Sequence, residues 1–408
     1  MGTSSRLSIL LICHRFPWPL TRGDTLTVFK MAEYFGRRHD LDIVCHAPAC
    51  DEYVRQVRPL VRDLYCEPFS RLSAAGRVAG AILRRLPFQT AWCCSPPLRR
   101  RVRELCRLRK YDVVMPYYIR VVPCAEGIEG PAKVAAIQLS LGLQWQRAAR
   151  EARGFLRRPA MRWESRRLLR CESETFRRFD KVLLISNRDR DAIPSCVDEK
   201  VFYNPHGVDT TRFAPDEQAA REPGSIVFTG LMQFRPNAEA ICEFVRTTFP
   251  LVLAGNPNAR LTIVGKNPPR PVRALAANPA ITVTGTVPEI CPYLQKSAVA
   301  IAPVRACAGL QNKVLEAMSA AAATVLTPQA NEGIGARDGE HCLIREDPQS
   351  FADAVVTLLA DAALRARLGN AARQWILDNW TWEVHFERLE AMLCDLAAQR
   401  AGTAGRAS

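Results

Sequence analysis

At 408 residues the chain exceeds one ordinary hydrophobic core and points to about two domains. Its 48 % hydrophobic and 24 % charged residues exclude an intrinsically disordered chain. A formal charge of +15, from 56 Lys and Arg against 41 Asp and Glu, directs attention to anionic partners.

The chain opens on Met1-Gly-Thr-Ser-Ser-Arg6, then the apolar run 7–13, then His14-Arg15. A run of seven residues falls well short of the roughly 20 that a membrane span needs, and no small-residue cleavage site follows. No longer apolar run occurs, so the expectation is a cytoplasmic protein, soluble or peripheral on a membrane surface. The 15 cysteines fit that compartment. They are scattered, Cys93 and Cys94 are adjacent, and no C-x-x-C pair occurs, so they read as reduced thiols rather than a disulfide framework or a zinc site.

In the first half, residues 7–13, 41–45, 113–115, 134–137 and 182–185 read as strands. Helices are predicted over 25–37, 97–108 and 162–178, with Asp24 in the N-cap position of the first. His14 ends the first strand, where the fold would turn it toward a ligand. Much of the basic excess lies in two stretches, 77–110 and 147–170, interrupted by Val78, Ile82, Phe155 and Trp163 among others. Three readings stand: an anionic membrane surface, Arg-rich composition on solvated helices, or nucleic acid. The last lacks RNP, KH and zinc signatures, and few aromatics interleave with the arginines.

Residues 211–224 are polar, carry Pro215, Pro223 and Gly224, and read as a linker. Beyond them, strands at 225–230, 261–265, 281–285, 299–303 and 324–328 each end in Gly or Pro, with helices between, as at 237–249 and 310–322. Apolar strands alternating with helices make a parallel sheet covered on both faces, and right-handed crossovers make it doubly wound. The predicted architecture is α/β: two Rossmann-like, doubly wound domains with a cleft between them. Their bounds are 1–210 and 225–379, followed by a C-terminal helix at 380–400 and a disordered tail at 401–408. The segment 362–398 reads as two helices broken near Trp380-Thr-Trp382.

Ligands of open parallel sheets lie beyond the carboxyl ends of the strands. In the second half those ends carry Gly230, Lys266, Gly285 with Thr286, and the loop 303–309. The helix opening near Leu310 presents free N–H groups and a positive dipole end, with Lys313 beside it. Glu316 lies about 6 Å further along the axis and leans back toward the helix start. A diphosphate at the helix start and ribose hydroxyls on Glu316 fit this spacing. A surface Lys–Glu pair at i,i+3, worth a few tenths of a kcal/mol, fits it as well.

The segment Arg305–Met318 resembles the E-x7-E region of family-4 retaining GT-B glycosyltransferases, in the subgroup linked to exopolysaccharide biosynthesis. The resemblance extends through His14-Arg-Phe-Pro17-Trp-Pro19 with Gly23-Asp24, Asn204-Pro-His-Gly207-Val-Asp209, Phe228-Thr-Gly230, Arg235-Pro-Asn237, Ile263-Val-Gly265 and Glu332-Gly-Ile334. It implies a nucleotide diphosphate sugar as donor substrate, no cofactor, and a glycan or lipid-linked acceptor. Glu316 matches the ribose-binding Glu, and Gly309, with Leu310, Gln311 and Asn312 after it, matches the loop that presents amides to sugar and phosphate. Lys313 and Arg235 would neutralise the diphosphate, and Gly285, Thr286 and Val287 would border the base. His14, Gly23 and Asp24 would lie toward the acceptor. The C-terminal helix would cross back to the first domain, making Trp380 and Trp382 packing residues. The leaving phosphate is expected to take the acceptor proton, so no dedicated base is required.

The chain departs from the pattern in places. Ala308 stands where the first Glu would be. Gln138–Leu141 lacks the acidic residues of relatives, Ala320–Ala323 lacks a Gly, and His206 replaces an Asn. Asp40/Asp42 and Asp189/Asp191 form D-x-D only formally, and no metal is expected. The alternatives are a nucleotide-sugar epimerase of the same fold, an Arg-rich nucleic-acid-binding protein, and a catalytically silent relative.

Overall fold

The computed structural model describes residues 6–48, 50–84, 86–152, 157–185, 199–216, 218–305 and 310–404. The chain forms two compact units, Met1–Pro205 with Phe386–Ser408, and His206–His385.

The first unit holds seven strands: β1 (Ser8–Cys13), β2 (Asp40–His46), β3 (Asp63–Glu67), β4 (Val113–Tyr117), β5 (Ala132–Gln138), β6 (Lys181–Leu184) and β7 (Val201–Tyr203). Their order is β3-β2-β1-β4-β5-β6-β7, every pair parallel. The central strands are buried almost throughout, as continuous apolar runs require when helices cover both faces. The edge strands β3 and β7 are only partly buried, and β3 is too polar and β7, at three residues, too short to signal themselves in the sequence.

In the second unit β8 (Glu222–Thr229), β9 (Arg260–Val264), β10 (Ile281–Gly285), β11 (Ser297–Ala302), β12 (Ala323–Leu326) and β13 (Leu343–Ile344) form a second sheet. Its order is β10-β9-β8-β11-β12-β13, again all parallel. The fold is therefore α/β with two Rossmann-like sheets, each with one topological switch point. In the first unit the strand order reverses between β1 and β4, and in the second between β8 and β11. Those are the positions at which open parallel sheets form their ligand crevices.

Several local expectations need correction. The first helix spans Gly23–Arg38 with Arg22 at its N-cap, so Asp24 lies inside the first turn and is not the cap. The stretch 211–224 is not a free linker. Phe213 is buried, its carbonyl accepts from Ser319 Oγ at 2.9 Å, the Ala214 carbonyl accepts from Gln295 at 2.7 Å, and β8 already begins at Glu222. One apolar anchor and two backbone acceptors dock a segment whose composition otherwise reads as solvent-exposed.

The Lys313 helix covers only Asn312–Ser319, shorter than expected. Ala322 N–H bonds to Ala317 O and Ala321 N–H to Met318 O, with Ala321 at φ +52°. This is a Schellman-type stop with alanine in the left-handed position that glycine usually takes. Arg221 donates to the Ala320 and Ala321 carbonyls and holds the turn. The helix expected over 237–249 starts earlier, at Arg235, and ends at Thr247, because Pro250 forces a new start at Phe249.

The final helices span Ala362–Asn379 and Trp382–Ala404, so residues 401–404 continue a helix where a disordered tail was expected. From Phe386 onward this helix belongs to the first unit. Phe386 packs on Tyr34 and Phe35, and Glu390 accepts from Tyr34 Oη at 2.7 Å and pairs with His39 Nε2 at 2.9 Å. Trp380 and Trp382 are buried in packing. Val208 N–H bonds to the Trp380 carbonyl, and Trp382 stacks with His206. Gly207 lies so close to Trp382 that a Cβ there would meet its backbone nitrogen at 2.4 Å.

Candidate functional site

In the second unit, residues from the loops after β8, β9, β10 and β11 meet at the switch point. Backbone bonds lace the strand ends together: Gly230 N–H to Val264 O at 3.0 Å, Gly265 N–H to Gly285 O at 3.2 Å, and Met232 N–H to Lys266 O at 3.1 Å. The contact is so close that a Cβ on Gly265 would sit 1.8 Å from the Gly230 carbonyl oxygen. Only glycine fits there. Gly285, at φ +70° with open space around it, is a glycine for a different reason, its backbone conformation.

Lys313 crosses this floor. Its ammonium donates to Asn237 Oδ1 at 2.5 Å, lies 4.9 Å from the Phe228 ring centre, and its Cε passes over Gly230. Asn237 is itself buried and fixed by donating to the Leu231 carbonyl at 3.1 Å. Lys313, in the first turn of the helix after β11, and Asn237, in the first turn of the helix after β8, thus close the switch point from its two sides. Asn237 belongs to the Arg235-Pro-Asn motif but was not among the expected site residues. Its signal is weak, because a buried Asn at a helix start reads as a cap.

Glu316 lies one turn beyond Lys313 and is partly buried, and among the described residues its carboxylate has no hydrogen-bond or ion-pair partner. Burial pushes its carboxyl up to about 7, against the opposing pull of Arg212 and Lys313. Arg212 is exposed, ion-pairs with Glu289 at 2.9 Å, and was likewise missed, because the stretch around it reads as linker. Val287 and Leu310 are partly buried against the core cluster that includes Val314 and Leu315. Thr286, Lys266 and Asn312 are exposed and Gln311 is buried at the helix start. Arg235 is exposed and pairs along its own helix with Glu239 at 2.7 Å. Gly309 and Ala308, and with them the first-Glu position, lie outside the described residues, as do Ser186, Asp189 and Asp191.

The first unit has its own cluster at the β1/β4 switch point. His14 follows β1, is buried, and its Nε2 accepts from Arg15 Nε at 2.9 Å and from Arg120 Nη1 at 3.0 Å. Arginine only donates, so the imidazole proton sits on Nδ1, which is buried without a partner among the described residues. Burial holds His14 down at about 4, against the pull of Asp24, so the ring is neutral at pH 7. Asp24 lies 3.2 Å from Arg15 and 3.4 Å from His14. Burial raises its pKa, but the Arg15 and Arg22 guanidinium groups pull the other way and the net shift is downward. Gly23, beside it, opens the helix. Tyr118 directly follows β4 at φ +80°, its ring edge-on to His14, with the Arg120 guanidinium 5.1 Å from its centre. Strain of this kind at a strand end is common in binding loops.

Other residues that stand out in the sequence have structural roles. Asp42 is fully buried and takes hydrogen bonds from Arg62, Arg109 and Tyr111, a closed ion-pair network in the core. Arg77 donates to the Ala91 and Trp92 carbonyls, Arg101 pairs with Glu67, and Arg167 lies over Trp163. Part of the basic excess is therefore spent inside the protein. No helix among the described residues is long and apolar enough to cross a membrane.

Comparison with known proteins agrees with this architecture. Residues 223–361 match the family model described as "Glycosyl transferases group 1". A 44.6 kDa protein in the cps region of Klebsiella pneumoniae is 20 % identical over 385 residues, covering 91 % of this chain and 96 % of the relative. Sucrose-phosphate synthase from Thermosynechococcus elongatus superposes with a TM-score of 0.67 at 15 % identity, covering 97 % of this chain and 100 % of that one. Anabaena HepE in complex with UDP gives 0.66 at 11 % identity, covering 95 % and 100 %. WaaG, a glycosyltransferase involved in lipopolysaccharide biosynthesis, gives 0.60 at 14 % identity, covering 94 % and 99 %.

Proposed function

We propose that this glycosyltransferase of the GT-B type moves a sugar, with retention of anomeric configuration, from a nucleotide diphosphate donor to a lipid-linked or polysaccharide acceptor of cell-surface glycan synthesis. The observation that carries the reading is the pair at the β8/β11 switch point: Lys313 held on Asn237 across Gly230, and Glu316 partly buried, its carboxylate without a partner among the described residues. A carboxylate left unpaired in such a place costs free energy unless a ligand supplies hydroxyl donors. Ribose hydroxyls on Glu316 and a diphosphate beside Lys313 satisfy both groups at once.

The chemistry follows from charge. Cleavage of the anomeric bond builds negative charge on the departing diphosphate, and Lys313, fixed before the donor arrives, stabilises it without reorganisation. Arg235 stands on the next helix and can leave Glu239 at little cost, since an exposed i,i+4 pair contributes only about 0.3–0.5 kcal/mol. Val287 and Leu310 would border the base, and the described residues need supply no metal for this step. The names of the similar proteins support the class: HepE was solved with UDP and with UDP-glucose, WaaG acts in lipopolysaccharide biosynthesis, and the Klebsiella relative comes from a cps region. Peripheral residence on the inner face of the cell membrane completes the reading, with the exposed arginines as its basis.

Turnover tests it. Incubation with UDP-, GDP- and ADP-sugars should release nucleoside diphosphate from one family of donors, slowly without acceptor, with the α or β configuration of the donor kept in the product. Lys313→Ala should lower kcat/KM by about 100-fold. Release from no donor, or inversion of the anomeric centre, would refute the proposal.

A further inference from the structure

Beside His14 in the first unit lies a cavity of about 760 Å³ at the carboxyl edges of β1 through β4. Its chemistry is divided. Arg15, Arg22 and Arg120 form one part of its lining, and Phe69, Val78 and Trp92 contribute an apolar part. The apolar wall is built by ring packing, with His46 on Phe69 at 4.7 Å between centres and Phe69 on Trp92 at 5.9 Å. Against the three guanidinium groups stands one carboxylate, Asp24, while His14 is neutral, so two positive charges are left for a ligand. Both histidines of the lining, His14 and His46, are more than nine-tenths buried and keep an Nδ1 without a protein partner among the described residues.

Val78 connects this cavity to the surface. It lies on the helix Arg71–Arg84, whose exposed side carries Leu72, Ala75, Ala79 and Ile82, with Leu86 just after it. At 100° per residue these positions fall within one stripe. Leu72 is 88 % exposed and Ile82 53 %, so the stripe is open. Arg71 flanks it at the N-terminal end.

We propose that this cavity is the acceptor site and that it takes a lipid phosphate or diphosphate. The phosphate group would sit among Arg15, Arg22 and Arg120, and the hydrocarbon chain would run over Phe69 and Trp92 toward Val78. The stripe on the Val78 helix would rest on the membrane from which that chain comes. A hydrophilic glycan acceptor needs neither the apolar wall nor the exposed stripe, and free phosphate needs only the arginines. The combination selects an amphiphile. This inference rests on the glycosyltransferase reading for the word acceptor, while the binding it claims is measurable without turnover.

The test is calorimetric titration of the full chain with geranyl diphosphate, inorganic diphosphate, geraniol and a heparin tetrasaccharide. Geranyl diphosphate should bind at least tenfold more tightly than either diphosphate or geraniol. Arg22→Gln should weaken it about tenfold, and Trp92→Ser should weaken geranyl diphosphate while leaving inorganic diphosphate unchanged. Both residues have exposed side chains, so these variants should fold. Lys313→Ala should leave geranyl diphosphate binding as it was, which separates this site from that of the second unit. Equal affinity for geranyl and inorganic diphosphate, preference for the tetrasaccharide, or loss of binding in Lys313→Ala would each overturn the proposal. Titration with nucleotide sugars in the same preparation distinguishes its failure from that of the underlying reading: nucleotide binding kept while lipid binding is absent removes the lipid site alone.

Discussion

Gly265→Ala is expected to destabilise the second unit by about 3 kcal/mol, the upper end of what an overpacked site costs. The added Cβ would lie 1.8 Å from the Gly230 carbonyl oxygen and 2.9 Å from Met232 Cε. A methionine end can swing away, but the Gly230 carbonyl cannot, because its own residue is tied by its N–H to the Val264 carbonyl. The strand ends must separate, and Gly230 would move with its neighbours Asn237 and Lys313. Function should therefore fall with stability. Gly285→Ala is the control. Its φ of +70° carries a strain of about 1 kcal/mol for alanine, with nothing nearby to clash. Hydrogen exchange of the β8 and β9 amides reads this unit separately from the other. Equal protection in the two variants would show that the close approach at Gly265 does not hold the site floor together.

Glu316 should make the unliganded protein less stable as pH rises. Its carboxyl is near 4.5 when unfolded and pushed up to about 7 when folded, by burial first. Below pH 4.5 both states are protonated and nothing is lost. Between 4.5 and 7 the folded state holds a proton that the unfolded state has released, so stability declines across that window and levels off above it. Glu316→Gln removes the decline. At pH 8 it should exceed the wild type by about 2 kcal/mol, and at about pH 4.5 the two should coincide. Donor binding should behave in the opposite sense. The ionised carboxylate is the better acceptor for ribose hydroxyls, so affinity should rise from about pH 6 to pH 8 in the wild type, and Glu316→Ala should be weaker by a few kcal/mol and flat with pH. Denaturation with and without nucleotide, at the two pH values, checks both statements. A Glu316→Gln variant no more stable than wild type at about pH 8 would mean that the carboxylate is solvated rather than held for a ligand.

The sheets were legible because buried parallel strands announce themselves. β1, β4 and β11 are unbroken apolar runs, and the Gly and Pro that end the strands of the second unit mark the very edge where ligands sit. The polar edge strand β3, the three-residue β7 and the two-residue β13 carry no such signal. Boundaries failed where a single tertiary contact decided them: Phe213 docks a segment that composition reads as linker, and Ala321 accepts a left-handed turn to end the Lys313 helix early.

The site divided along the same line. Lys313 and Glu316 were visible from spacing and from the family resemblance, whereas Asn237, Arg212 and Gly265 act through partners distant in sequence. In the first unit His14 and Asp24 stood out beside Gly23. Arg15 and Arg120, which decide the charge there, were hidden among the many arginines, and Arg120 lies 106 positions from the histidine it bonds. Composition cannot tell an arginine that holds a core carboxylate, such as Arg109, from one that is left for a ligand.

The proposed function requires the second unit to bind a nucleotide diphosphate at Lys313. Its most direct test is a thermal-shift series with UDP, GDP, ADP and their sugar conjugates on the wild type and on Lys313→Ala. One nucleotide family should stabilise the wild type, and the shift should disappear in the variant. Stabilisation by no nucleotide, or a shift of the same size in Lys313→Ala, would contradict it.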